Sequence, residues 1–186
     1  MGADGKGKRT VAKGLTTQDI AFSWSPQASA LAALGNYDYT RNVGQLVLVT
    51  GESKVIGEEV SFYAFSPTSS HLGFISKGQI ATVEVASGKR TDIGGVTDVA
   101  TLEFRSGAAD GPLLAARRKS ATGGELMLVD AQGKAEKVAA NVSEYGFSPD
   151  GTQIAYTQRQ GHGNDLYVVT LTPRSAPARI GQGVQG

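Results

Sequence analysis

Three copies of an aromatic-Ser-Pro triplet punctuate the chain: Trp24-Ser25-Pro26, Phe65-Ser66-Pro67 and Phe147-Ser148-Pro149. A degraded copy reads Phe104-Arg105-Ser106, so the aromatic positions step by 41, 39 and 43 residues. A regular step of this size means that one supersecondary unit recurs and that each unit must bury its apolar face on a neighbour. The residues after each anchor repeat as well. A turn comes first, clearest at Pro149-Asp150-Gly151, where Asp bonds to nearby backbone and Gly takes positive φ. A short apolar strand comes next, at 31–34, 72–75, 113–116 and 154–156, then a loop and a second apolar strand at 46–49, 80–85, 126–129 and 166–171. Each unit closes on a more polar strand, at 54–56, 89–93, 134–138 and 178–180.

Short strands rich in Val, Ile, Leu and aromatics, with turn signals about every ten residues, are an all-β pattern. Gly is 25 of 186 residues against 6 Pro, a composition of tight turns rather than of flexible linkers. No segment holds a helical period over three turns; 27–34 is the nearest and is too short. A period near 41 matches one four-stranded blade of a β-propeller. The expected blades span 18–57, 58–95, 96–139 and 140–183, with Trp24, Phe65, Phe104 and Phe147 as core between blades. Gly7-Lys8-Arg9-Thr10 recurs at Gly88-Lys89-Arg90-Thr91, on an outermost strand, so 7–15 is expected to be the outer strand of a preceding or closing blade. The strand count then favours an open arc of about four blades, or half of a larger ring. The alternative is a closed four-bladed ring in which 178–186 is a tail. An open arc exposes a sheet face able to associate.

The fourth unit, Tyr145-Gly146-Phe147-Ser148-Pro149-Asp150-Gly151-Thr152-Gln153-Ile154-Ala155-Tyr156 and then Asn164-Asp165-Leu166-Tyr167-Val168-Val169, resembles the WD40-like (PD40) repeat of TolB-like propellers. The same repeat occurs in the propeller domains of prolyl-oligopeptidase-type peptidases and of the tricorn protease. The resemblance spans most of 18–183, strongest in the fourth unit and fair in the second. The Trp-Asp and Gly-His signatures of typical WD40 repeats are absent, and Val129-Asp130 is a partial echo. The resemblance implies binding or scaffolding in a bacterial periplasm or cell envelope; fold alone assigns no chemistry.

The residues themselves argue against catalysis within this chain. There is no cysteine, hence no disulfide, thiol nucleophile or Cys-ligated zinc. No Gly-x-Ser-x-Gly elbow is present. The two histidines, His71 and His162, have no metal-ligand spacing. Asp4, Asp150 and Asp165 lack the carboxylate spacing of a calcium loop and read as turn caps. No cofactor and no metal are expected. Lys+Arg 18 against Asp+Glu 17 leaves +1, so no global field drives binding to nucleic acid or membrane. The longest apolar runs, such as 46–49, are far short of a membrane span, and Met1–Lys6 has no signal-peptide pattern.

One constellation suggests a binding surface. Loops between second and third strands gather on one face of a propeller, with the loops that link blades. Those loops, at 35–44, 76–79, 117–124 and 159–164, carry Tyr37, Tyr39, Arg41, Lys77, Arg117, Arg118, Lys119, Arg159 and His162. They hold six fixed positive charges against one acid, Asp38. Loops on a rigid scaffold are where binding resides, and Tyr and Arg are frequent hot-spot residues. The expected partner is a protein with an acidic surface, a peptide carboxylate or an anionic polymer, or else further blades through self-association. The first expectation for function is a non-catalytic interaction module. The alternative is the substrate-gating propeller of a larger prolyl-oligopeptidase-type hydrolase. A carbohydrate- or lipid-binding propeller is a weaker reading, resting on Tyr37 and Tyr39.

Overall fold

The computed structural model describes residues 10–16, 21–107, 114–121, 123–130, 132–161 and 163–184. Among these residues it contains fourteen strands and no helix: β1 (Phe22–Trp24), β2 (Leu31–Asp38), β3 (Val43–Val49), β4 (Ser53–Phe65), β5 (His71–Ser76), β6 (Gln79–Glu84), β7 (Arg90–Ile93), β8 (Val99–Phe104), β9 (Leu114–Ser120), β10 (Gly123–Val129), β11 (Ala135–Phe147), β12 (Gln153–Gln160), β13 (Gly163–Thr170) and β14 (Ala178–Val184). Every pairing between neighbouring strands is antiparallel.

The Ser-Pro triplets build the turn that ends the first strand of a blade. The carbonyls of Ser25, Ser66 and Ser148 accept hydrogen bonds from the amides of Ala28, Ser69 and Gly151 at 2.8–2.9 Å. Pro stands at the second turn position, where its fixed φ is already correct. The fourth position is left-handed, with φ of 54° at Ala28, 61° at Ser69 and 69° at Gly151. The serine hydroxyl closes the turn from inside: its Oγ accepts from the amide of Ala30, His71 or Gln153, each at 3.0 Å. A serine there satisfies a backbone donor that the turn leaves without a ladder partner.

Four four-stranded blades result, although hydrogen bonding links the strands into two seven-stranded sheets, β1 to β7 and β8 to β14. β4 and β11 account for the difference. Each runs without interruption from the outer strand of one blade into the inner strand of the next, where the sequence suggested two separate strands. The chain changes blade at Glu59 in β4 and at Asn141 in β11, with φ of 49° and 56°. The ladder slips register at both places. At the remaining junction, between β7 and β8, the left-handed non-glycine residue is Asp98, φ 58°, three residues after Gly95, φ 82°. Glu59, Asp98 and Asn141 each stand six residues before an aromatic anchor, and Asn and Asp tolerate this conformation better than most side chains.

The core lies between blades. Leu34, Leu46, Tyr63 and Phe74 pack the first joint, Ile75, Ile80, Leu102 and Phe104 the second, and Ala115, Leu126, Ile154 and Tyr156 the third. Tyr156 and Tyr167 stack with ring centroids 5.4 Å apart. Full burial of a Leu, Ile or Phe side chain contributes about 1.5–3 kcal/mol, so the joints, rather than single hairpins, hold the arc together.

Two expectations need correction. Trp24 is not between blades: it is 59% exposed, because β1 opens the arc and no blade covers it. The segment expected as an outer strand over 7–15 is described only from residue 10, and 10–16 form no strand. Instead the Lys13 and Gly14 carbonyls accept from the amides of Asn36 and Tyr37, at 2.8 and 3.0 Å. This segment extends the short β1 along β2. β1 and β14 end the two sheets and do not pair with each other, so the sheets are open.

Candidate functional site

The hairpins β2–β3, β5–β6, β9–β10 and β12–β13 are equivalent and place their tips on one face of the arc, beside the junctions that connect blades. The Val99 amide donates to the Gly78 carbonyl at 3.0 Å and the Lys119 amide to the Asp98 carbonyl at 2.7 Å. The Asp98 junction is thus tied to the tip of the second blade and to β9 of the third. Gly78 has φ 75°, and a Cβ there would crowd the Asp98 backbone, 3.2 Å from its amide nitrogen.

The tips are tighter than the sequence suggested, since the strands continue into them. Tyr37 lies on β2, Arg117, Arg118 and Lys119 on β9, and Arg159 on β12. Tyr37 is half-buried against the first core cluster. Its ring meets that of exposed Tyr39 edge-on at 5.0 Å. Asp38 accepts the amides of Thr40 and Arg41 at 2.9 and 3.2 Å, which shapes the longest tip. His162 lies outside the described residues.

Charge on this face is more balanced than six to one. Glu59, at the junction, receives both Arg41 and Lys77, the latter at 2.9 Å. These two cations, hydrogen-bonded to it, hold the Glu59 carboxyl below its ordinary range. Glu125 on β10 receives Lys137 at 2.6 Å and Arg118 at 2.5 Å, and its pKa is lowered for the same reason. Sequence reasoning missed both acids because it counted only loop residues. A signal existed for Glu59, which occupies the same offset from its anchor as Asp98 and Asn141. Exposed salt bridges of this kind contribute little to stability, but here they fix three of the six cations in place.

Among the described residues, the side chains of Lys119 and Arg159 have no salt-bridge partner and are exposed. Arg159 borders a groove with Ser143 and Asn164. Arg117 folds over Gly124, where a Cβ would lie 2.7 Å from its Cδ. It lines a second groove between the third and fourth blades, with Glu103, Glu144 and Tyr145. The Tyr145 hydroxyl bonds with Thr101 at 3.2 Å and donates to the Ala115 carbonyl at 3.4 Å. Burial pushes its pKa up to about 12. Burial also raises the Glu103 carboxyl, partly offset by the Phe147 amide that donates to it. Among the described residues no three His, Cys, Asp or Glu side chains converge on a point that would hold a metal, and no helix is long and apolar enough to cross a membrane.

Solved structures share this architecture. The tricorn protease superposes with a TM-score of 0.63 at 13% identity, over 81% of this chain and 15% of that one. A TolB-type protein from Agrobacterium tumefaciens gives 0.59 at 14%, over 93% and 70%. The fold is a TolB-like, WD40-like β-propeller. The propeller domain of Swd1 (Cps50) from Myceliophteria thermophila gives 0.63 at 12%, over 95% of this propeller arc and 60% of that chain. The arc therefore spans less than two thirds of the tricorn and Swd1 chains. No protein-family model and no curated protein sequence matches it.

Proposed function

We propose that this propeller arc is a non-catalytic interaction module that binds an acidic protein surface through its hairpin-tip face. The observation that carries the reading is the arrangement of Lys119 and Arg159. Both are exposed on adjacent blades and, among the described residues, have no salt-bridge partner, while neighbouring cations are already held by Glu59 and Glu125. Preplaced charges on a stiff scaffold give orientation and a fast encounter with an oppositely charged partner. Exposed Tyr39 supplies an amphipathic contact on the same face. The likeness to a TolB-type protein supports a bacterial cell envelope as the setting.

The test is titration with a poly-glutamate peptide at rising ionic strength. Wild-type binding should weaken with salt, and the double variant K119E/R159E should lose affinity at least tenfold, about 1.4 kcal/mol, and lose much of that salt dependence. Equal affinity for both proteins at every salt concentration would overturn the reading.

A second reading is favoured by the tricorn protease likeness, in which a segment of this size forms a small part of a protease chain. The arc would then gate access to a hydrolase domain. A reading frame that continues into an α/β segment bearing Gly-x-Ser-x-Gly would establish that arrangement; a frame without one would remove it.

A further inference from the structure

The joints inside the arc repeat one cross-strand row. It begins two residues before the anchor and runs outward across the four strands of a blade, on the face turned to the preceding blade. In the second blade the row is Tyr63, Phe74, Ala81 and Asp92. In the third it is Leu102, Ala116, Met127 and Lys137, and in the fourth Tyr145, Tyr156, Tyr167 and Arg179. The third place in the row decides how the outer half of the joint is filled. Met127 is buried there in the second joint. In the third joint Tyr167 stacks on Tyr156, with planes 12° apart. In the first joint that place holds only Ala81. The first blade offers no side chain in return. Its outer strand meets Phe74 with Gly57, where a Cβ would lie 2.8 Å from Phe74 Cε2.

Arg90 covers the ring instead. Its Cζ lies 5.2 Å from the Phe74 centroid. Nε and Nη2 donate to Asp92 Oδ1 at 2.8 and 2.6 Å, and Nη1 donates to the Ile56 carbonyl at 3.4 Å. Bonds at its edges fix the plane of a guanidinium and leave its faces free to stack. Phe74, fully buried, takes one face, yet the Arg90 side chain is 45% exposed. Its open surface borders a groove of about 570 Å³ between the first two blades, lined also by Val55, Gly57, Lys77, Gln79 and Ala81. That volume is in the range of small-molecule sites. Lys77 is 72% exposed and meets Glu59 at 2.9 Å, which leaves ammonium hydrogens for a further acceptor. The two acids on the groove are engaged: Asp92 by Arg90, and Glu58 by Gln45 Nε2 at 3.1 Å.

We propose that this groove binds a small aromatic carboxylate, its ring flat on the open face of Arg90 and its carboxylate toward Lys77. The ring occupies the space that the Tyr167 side chain fills in the third joint. A planar, electron-rich ring is attracted to a guanidinium face. The acid adds a charge that Lys77 can meet, whereas an ammonium group would face two cations. The inference goes beyond the hairpin-tip reading and needs neither Lys119 nor Arg159.

Isothermal titration with indole-3-acetate tests it. Wild type should bind this ligand about tenfold or more tightly than cyclohexaneacetate, which has the charge without the planar ring, and than tryptamine, which has the ring with the opposite charge. In heteronuclear NMR the amide signals of Gly57, Ala81 and Arg90 should shift on binding. A81Y supplies the missing ring from within and should abolish binding. R90K keeps the charge, loses the planar face and should weaken binding about tenfold or more, with unchanged β-sheet circular dichroism. K77Q should bind indole-3-acetate no more tightly than 3-methylindole. Absence of binding at millimolar ligand, equal affinity for the three ligands, amide shifts confined to other residues, or wild-type affinity in R90K or folded A81Y would each overturn the proposal. K119E/R159E should bind indole-3-acetate as wild type does, so failure here is distinct from failure at the hairpin-tip face.

Discussion

Phe104 closes on the bare backbone of Gly73: a Cβ at position 73 would lie 2.8 Å from the ring's Cε2 and 2.9 Å from its Cζ. The ring is 5% exposed and Gly73 is buried, so neither side of the joint between the second and third blades has room to yield. Gly73→Ala should therefore destabilise the fold by about 1–3 kcal/mol through overpacking. Phe104→Ala should cost about 3–5 kcal/mol through the cavity it leaves. In Phe104→Leu the added methyl at 73 finds space, so the double variant G73A/F104L should lose less than the sum of its single changes. Urea unfolding midpoints read all four proteins, and strict additivity would show that the two residues do not share a contact.

Gly151 and Gly161 separate backbone strain from contact between blades. Both are left-handed, φ 69° and 53°. A Cβ at Gly151 would overlap the Ser106 carbonyl of the preceding blade, whereas at Gly161 it would meet nothing within 4 Å. Alanine at 161 should cost about 1–2 kcal/mol, the left-handed penalty alone. Alanine at 151 should cost clearly more, because a backbone carbonyl cannot step aside. It also disturbs the Arg105 Nε that donates to the Gly151 carbonyl at 2.5 Å. Thermal unfolding of the two variants under one condition makes the comparison, and equal losses would contradict it.

Glu103 and Asp150 should give opposite pH dependences. Burial raises the Glu103 carboxyl above its ordinary 4.5, so the folded state holds that proton to higher pH than the unfolded state does. Stability then falls as pH rises from the ordinary value through the folded one. Glu103→Gln keeps an oxygen to accept the Phe147 amide and should gain on wild type as pH rises from below 4.5 to neutrality. Asp150 is held at about 2, below its ordinary 3.8, first by the Ser148 hydroxyl and then by Thr152. Its contribution is present above 3.8 and is lost as pH falls toward 2. Asp150→Asn should therefore be less stable than wild type at neutrality and converge on it in acid. Denaturation midpoints across pH for both variants read the two slopes, and slopes of the same sign would refute the assignment.

The Ser-Pro turn and its period were readable from the residues because their causes are local. Pro sets one dihedral, the turn needs one left-handed residue, and the serine hydroxyl bonds five positions along the chain. The strands after each turn were legible for the same reason, as alternating or continuous apolar runs. The left-handed junction at Glu59, Asp98 and Asn141 carried a weaker sign, a polar residue at constant offset from the anchor. Of the candidate surface, the sequence supplied its cations but not its balance. Arg41 meets Glu59 across 18 positions and Arg118 meets Glu125 across a hairpin, pairings set by where the next strand lands.

Sequence alone determined the all-β class, the repeating unit and the turn that begins each one, because these depend on side-chain type within a few residues. Only the tertiary structure decided which faces of those units are covered. Phe65, Phe104 and Phe147 pack into joints while Trp24, with the same local chemistry, stays 59% exposed. The difference is position in the arc: burial needs a neighbour, and a residue's own sequence context does not say whether one stands beside it.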